Sequence, residues 1–76
     1  MKPTPKHIGE LVQATRKATK VTQKQLALTS GTGLRFIIEL EKGKPTCQLG
    51  KVLTVLQTLG IQLVMHSPVL KHQQGE

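Results

Sequence analysis

The residues from which catalysis or metal binding is ordinarily built are few in this chain: three histidines (His7, His66, His72), one cysteine (Cys47) and four carboxylates (Glu10, Glu39, Glu41, Glu76). The histidines and the cysteine show no metal-ligand spacing. The carboxylates are too scattered for an acid–base pair, and no nucleophile–base–orienter set is present. No metal, cofactor or enzymatic activity is expected, and Cys47, His66 and His72 read as inert or solvated. What the side chains do offer is charge. Eleven Lys and Arg against four acidic residues make a formal net charge of +7 and a pI near 10.1. Such an excess suits a polyanion, either nucleic acid or an acidic protein; the plainer alternative is a soluble basic surface. Phe36 is the one aromatic residue, which disfavours stacking platforms for single-stranded nucleic acid.

Seventy-six residues allow one domain. A folded chain of this size buries only about 60% of its unfolded surface, so a lone monomer is marginal. A single cysteine excludes an intramolecular disulfide and zinc is not expected, which leaves a partner chain as the natural remedy. No apolar run approaches the roughly 20 residues of a membrane span. Residues 1–6 lack the apolar core of a signal peptide, and an unpaired cysteine fits a reducing compartment. A cytoplasmic protein with no membrane partner is expected.

Periodicity yields four helices. Thr4–Pro5 is an N-cap followed by proline at the first helical position. Ile8, Leu11, Val12, Thr15 and Ala18 follow helical spacing, so a helix is expected over about 5–18. Thr22-Gln23-Lys24-Gln25 is a capping box, with Val21 and Leu26 as its hydrophobic staple, and Ser30-Gly31 ends that helix. A third helix follows Thr32-Gly33, with Ile37 and Leu40 on one face and Phe36 as a further core residue, and stops at Gly43 before Pro45. The fourth is expected from Thr46 as cap to Leu59-Gly60; its wide stripe of Leu49, Val52, Leu53, Val55, Leu56 and Leu59 marks a central core helix. Ile61, Gln62, Leu63, Val64 and Met65 then change to a period of two, which predicts a strand over 61–66. A lone strand leaves its backbone unpaired, and the economical partner is the same strand of a second copy across a two-fold axis. The alternative is an extended tail packed on the fourth helix. Residues 67–76 read as a flexible tail and 1–66 as the domain.

Two short helices joined by Thr29-Ser30-Gly31-Thr32 form the helix-turn-helix arrangement, whose second helix enters the DNA major groove. Ala27 is small where the helices cross, Gly31 suits the turn, and Leu26, Ile37 and Leu40 lock the pair.

The residues Val21–Ala27, Ser30-Gly31 and Phe36–Thr46 resemble Xre/Cro-type helix-turn-helix regulators over about residues 8–60. Glu41–Thr46 running into Leu49–Leu53, with Leu59–Leu63 after it, is most similar to HipB-type antitoxins: small dimeric repressors that bind their own operator and a HipA-type Ser/Thr kinase toxin, and whose dimers carry a C-terminal intermolecular strand pair. The resemblance implies that Thr22, Gln23 and Lys24 meet DNA at the start of the second helix. It puts Gly33, Leu34, Arg35, Ile38 and Glu39 on the groove-facing side of the third. Arg35 is then the candidate reader of guanine, through the fork that matches O6 and N7, and Glu39 a candidate acceptor from cytosine. Leu34 and Ile38 depart from the polar residues common at their positions and face either thymine methyls or a protein. Lys42, Lys44, Thr46 and Lys51 fall where the family grips phosphates. Arg16 and Glu41 match a structural ion pair tying the third helix to the first.

The expected fold class is all-α: a small four-helix helix-turn-helix domain with a short C-terminal strand pairing across a homodimer. The expected function is a dimeric operator-binding repressor acting as antitoxin of a HipA-type operon. The alternatives are a standalone Xre-type repressor, or a protein-interaction module with residual DNA binding.

Overall fold

The structure, a computed structural model, describes residues 3–69; the rest of the expected tail, with His72, lies outside the described residues. Four helices follow one another: α1 Pro5–Ala18, α2 Gln23–Ser30, α3 Leu34–Glu41 and α4 Leu49–Thr58. Their starts are chemically explicit in two cases. The Thr4 hydroxyl accepts the His7 amide at 3.0 Å ahead of Pro5. At α2 both halves of the capping box form: Gln25 N–H donates to Thr22 Oγ1 at 3.0 Å, and Thr22 N–H to Gln25 Oε1 at 2.8 Å.

Three helices end in one device, in which a left-handed residue turns the chain and two amides return to orphan carbonyls. After α1, Lys20 takes φ +58° and the Val21 amide reaches Arg16 O. After α3, Gly43 takes φ +87° and the Lys44 amide reaches Glu39 O. After α4, Gly60 takes φ +75° and the Ile61 amide reaches Leu56 O.

The core is Val12, Leu26, Ala27, Ile37, Leu40, Val52, Val55 and Leu56, flanked by half-buried Ile8, Val21, Phe36, Cys47, Leu53, Leu59 and Ile61. Helix α3 lies against both α1 and α2, and α4 against α2. Glycine at position 9 permits the α1–α3 crossing, because a Cβ there would run into the Leu40 and Glu41 carbonyl oxygens.

Several expectations are corrected. Thr46 does not cap α4: it is exposed in a turn with Pro45, and the helix starts at Leu49 after Gln48, whose side chain makes no capping bond. Cys47 packs against the core between turn and helix, so two residues, Cys47 and Gln48, separate Thr46 from the first helical residue. The buried face of α1 is Gly9, Val12 and Arg16, while Leu11 and Ala18 are exposed. Leu49 is exposed rather than part of the α4 core stripe. The strand expected over Ile61, Gln62, Leu63, Val64 and Met65 is not present: among the described residues there is no strand. A strand requires a hydrogen-bonded neighbour, and the described residues supply none. Ile61 instead closes α4 with its amide and packs its side chain on the core.

Candidate nucleic-acid interface

The turn between α2 and α3 is built from glycines in conformations that L side chains rarely adopt. Gly31 ends α2 at φ +70°, and Gly33 enters α3 at φ +98°. At the end of α2 the Ser30 hydroxyl donates to Leu26 O at 2.7 Å and shares a 2.9 Å hydrogen bond with Thr32, which lies between the two glycines. Leu26, Ala27, Ile37 and Leu40 fill the angle between the helices. The opposite face of α3 is thereby turned outward: the Arg35 side chain is 91% exposed, Leu34 is 43% exposed, and Ile38 and Glu39 are half-buried.

On that face the charges are coupled. Glu39 Oε1 lies 3.2 Å from Lys44 Nζ, and Glu39 Oε2 lies 3.8 Å from Arg35 Nε. The carboxylate therefore sits between the residue expected to read guanine and one expected to grip phosphate. Lys42, Lys24 and Thr22 are exposed, and the Thr22 hydroxyl is engaged in the α2 cap. Lys51, on α4, stands with Nζ 5.7 Å from the centre of the Phe36 ring, a cation–π arrangement. Thr46 sits in the α3–α4 turn.

Beneath this face lies a buried ion pair. Arg16 Nε donates to Glu41 Oε2 at 2.6 Å and Arg16 Nη2 to Glu41 Oε1 at 3.0 Å, a two-pronged contact between α1 and the end of α3. The remaining arm, Nη1, donates to Val21 O at 2.9 Å. Hydrogen bonding to Glu41 raises the Arg16 pKa above its already high ordinary value, against the opposing effect of burial. Arg16 is thus cationic throughout the working pH range. Gln23 joins the same cluster, its Nε2 donating to Glu41 Oε1 at 3.0 Å.

Two features of the site were not read from the sequence. The Gln23–Glu41 bond joins residues 18 positions apart, which no local spacing reveals. Leu28, 75% exposed, forms with Lys24, Ala27, Gly31, Gly33 and Leu34 a shallow apolar hollow beside the outward face of α3. A leucine outside the α2 core pair Leu26–Ala27 was the available signal. Among the described residues no group of three or more His, Cys, Asp or Glu can hold a metal ion, and no helix is long and apolar enough to cross a membrane.

An uncharacterized HTH-type transcriptional regulator of Sinorhizobium fredii is 54% identical over 65 residues, covering 86% of each chain. This chain belongs to the helix-turn-helix transcriptional regulators. No protein-family model matches it. Two solved structures share the fold of this helix-turn-helix regulator at 19% identity and a TM-score of 0.78. A HipB–O4 20mer complex is matched over 90% of this chain and 96% of that one, and a HipB variant–O2 20mer complex over 90% and 94%. The regulator's four-helix architecture is HipB-like.

Proposed function

We propose that the protein is a dimeric, sequence-specific repressor that binds double-stranded operator DNA. The observation that carries this reading is the outward face of α3, where Arg35 and Glu39 stand with Lys44 of the following turn, on a helix held by the Arg16–Glu41 pair. Two such helices, one per protomer, enter successive major grooves about 34 Å apart on a palindromic site. Arg35 reads guanine and Glu39 accepts from a cytosine amine. Leu34 and Ile38, with Gly33 allowing close approach, meet thymine methyls. Thr22, Gln23, Lys24, Lys42, Lys44, Thr46 and Lys51 engage phosphates, which makes affinity salt-dependent.

Dimerisation is assigned to 61–66, chiefly through the exposed Leu63, Val64 and Met65, each copy lending the other the strand partner it lacks. The domain is 1–66 and its setting the cytoplasm. Within this reading the protein is the antitoxin of a HipA-type Ser/Thr kinase, autoregulating its own operon; the HipB-like fold and the Glu41–Leu63 resemblance support that role. Co-expression with a kinase-like product of the neighbouring reading frame should recover a complex of the two. If no such complex forms, a standalone repressor is left.

The deciding experiment is a titration on the duplex upstream of the protein's own reading frame beside a scrambled duplex, at two salt concentrations. Selective binding that weakens steeply with salt is expected. Arg35→Ala should cost about 1–3 kcal/mol on the specific duplex, relaxing selectivity, without moving the melting temperature, since the side chain is solvent-exposed. Equal weak binding to both duplexes would sink the repressor. A second reading, a protein-interaction module, is favoured by the apolar hollow between Leu28 and Leu34; it predicts no sequence preference for Arg35→Ala to remove.

A further inference from the structure

We infer that Glu41 is a positioning residue for Gln23: the carboxylate, held by Arg16, presets the Gln23 amide at the start of α2 for its contact with the DNA backbone. The inference rests on the DNA-binding reading above and adds a role that the ion pair alone does not require.

The geometry runs through one carboxylate. Glu41 Oε2 is taken by Arg16 Nε at 2.6 Å, and Oε1 is shared by Arg16 Nη2 and Gln23 Nε2, both at 3.0 Å. The same guanidinium holds Val21 O, two residues before Gln23, at 2.9 Å. Gln23 is therefore gripped by two routes that start from Arg16: through the backbone entering α2, and through its own side chain by way of Glu41. Arg16 and Glu41 are buried, while Gln23 is half-buried at the edge of the cluster. One Nε2 hydrogen is committed to Glu41. The other, together with Oε1, remains for a partner, and an acceptor-only phosphate oxygen takes the hydrogen.

Two physical consequences follow. A long side chain held before binding has less freedom to lose when it binds. The arrangement also requires a carboxylate at position 41. A glutamine there has one acceptor oxygen, which the Arg16 fork occupies, and its NH2 can be met only by a Gln23 amide turned over to present Oε1. Glu41→Gln thus preserves one prong of the Arg16 contact while undoing the Nε2 contact that sets the orientation of the Gln23 amide.

The test is a double-mutant cycle read as DNA affinity on the upstream duplex, with melting temperatures measured in parallel. Gln23→Ala should weaken binding by about tenfold, the loss of one hydrogen bond to a charged acceptor. Glu41→Gln should weaken binding severalfold in the parent. In the Gln23→Ala background it should change affinity by less than about twofold, because nothing is left for the carboxylate to position. Its cost in melting temperature should persist in both backgrounds, which separates positioning from loosening of the fold. Equal affinity losses in both backgrounds would overturn the inference, as would a Gln23→Ala variant that binds like the parent. A parent protein that does not distinguish the two duplexes would instead defeat the repressor reading, and the inference with it.

Should Glu41→Gln not fold, Glu41→Asp replaces it, keeping the charge opposite Arg16 but withdrawing it from Gln23 by one methylene. The parent provides a further readout by NMR. One Gln23 Nε2 proton should be shifted and slow to exchange, whereas a rapidly exchanging, unperturbed pair would refute the contact.

Discussion

The helix-turn-helix half of the chain and its C-terminal stretch differ in how completely one polypeptide satisfies them. Between Val21 and Lys44 the polar groups that shape the motif are matched inside the chain. The capping box closes α2, Ser30 and Thr32 tie the turn, and Arg16, Glu41 and Gln23 share one hydrogen-bonded cluster. Among the described residues no buried side-chain polar atom is left without a partner. After Gly60 the balance reverses: Leu63, Val64 and Met65 are 52%, 68% and 76% exposed. The contrast teaches a division of labour. A helix that reads DNA must be held at a fixed angle before DNA arrives, so its supports are internal. In the dimer proposed above, the exposed residues of 61–66 are completed by the second copy.

The sharpest way to break the first region is to orphan its buried charge. Glu41→Ala leaves the Arg16 guanidinium buried without its counter-ion and should cost about 3–5 kcal/mol in chemical denaturation, a large share of the stability of any small domain. A change below about 1 kcal/mol would mean that water replaces Glu41 freely and that the motif is less self-contained than drawn here. The cost should be constant across ordinary pH on the Arg16 side. A raised arginine pKa stabilises the fold at every pH below the unfolded value and is lost only as pH rises through the folded one, far into the alkaline range.

The C-terminal region is tested by Leu63→Pro, which removes a backbone donor from the segment assigned to self-association. Self-association measured by sedimentation should weaken by about tenfold or more, the equivalent of roughly 1.4 kcal/mol, while the helical content of residues 5–58 stays unchanged. A variant as dimeric as the parent would remove 61–66 from the interface. The smallest effect expected sharpens the comparison within the helical half. Lys20 occupies a left-handed position at φ +58° where glycine closes α3 and α4. Lys20→Gly should therefore raise stability by up to about 1 kcal/mol, offset in part by the freer unfolded chain; a loss of stability would show that the Lys20 side chain contributes contacts of its own.

The legible parts were those whose signals are local. Thr4-Pro5, the Thr22–Gln25 box, Gly31, Gly43 and Gly60 announce helix ends within a few residues, and α1, α2 and α3 fall where these signals lie. The start of α4 was misread because a threonine followed by an apolar stripe looks like a cap, whereas Pro45 and Thr46 form a turn and Cys47 packs on the core. The face of α1 was misread because periodicity counts Leu11 and Ala18 as apolar, and only the close crossing at Gly9 shows which side meets α3. The candidate interface divides likewise. The exposure of Arg35 and Leu34 follows from helical phase, but the coupling of Glu39 to Arg35 and Lys44 depends on how the chain turns after α3.

The order of residues thus settles the four helices, most of their ends, the helix-turn-helix and the basic character, because caps, turns and periodicity act over fewer than ten neighbours. Three features depend on the folded arrangement: the approach of α1 to α3 at a bare backbone, the attachment of Gln23 to a carboxylate on another helix, and the packing of Cys47 on the core ahead of α4. Each depends on groups far apart in sequence, and their distances are set by how the helices pack rather than by what any one segment prefers.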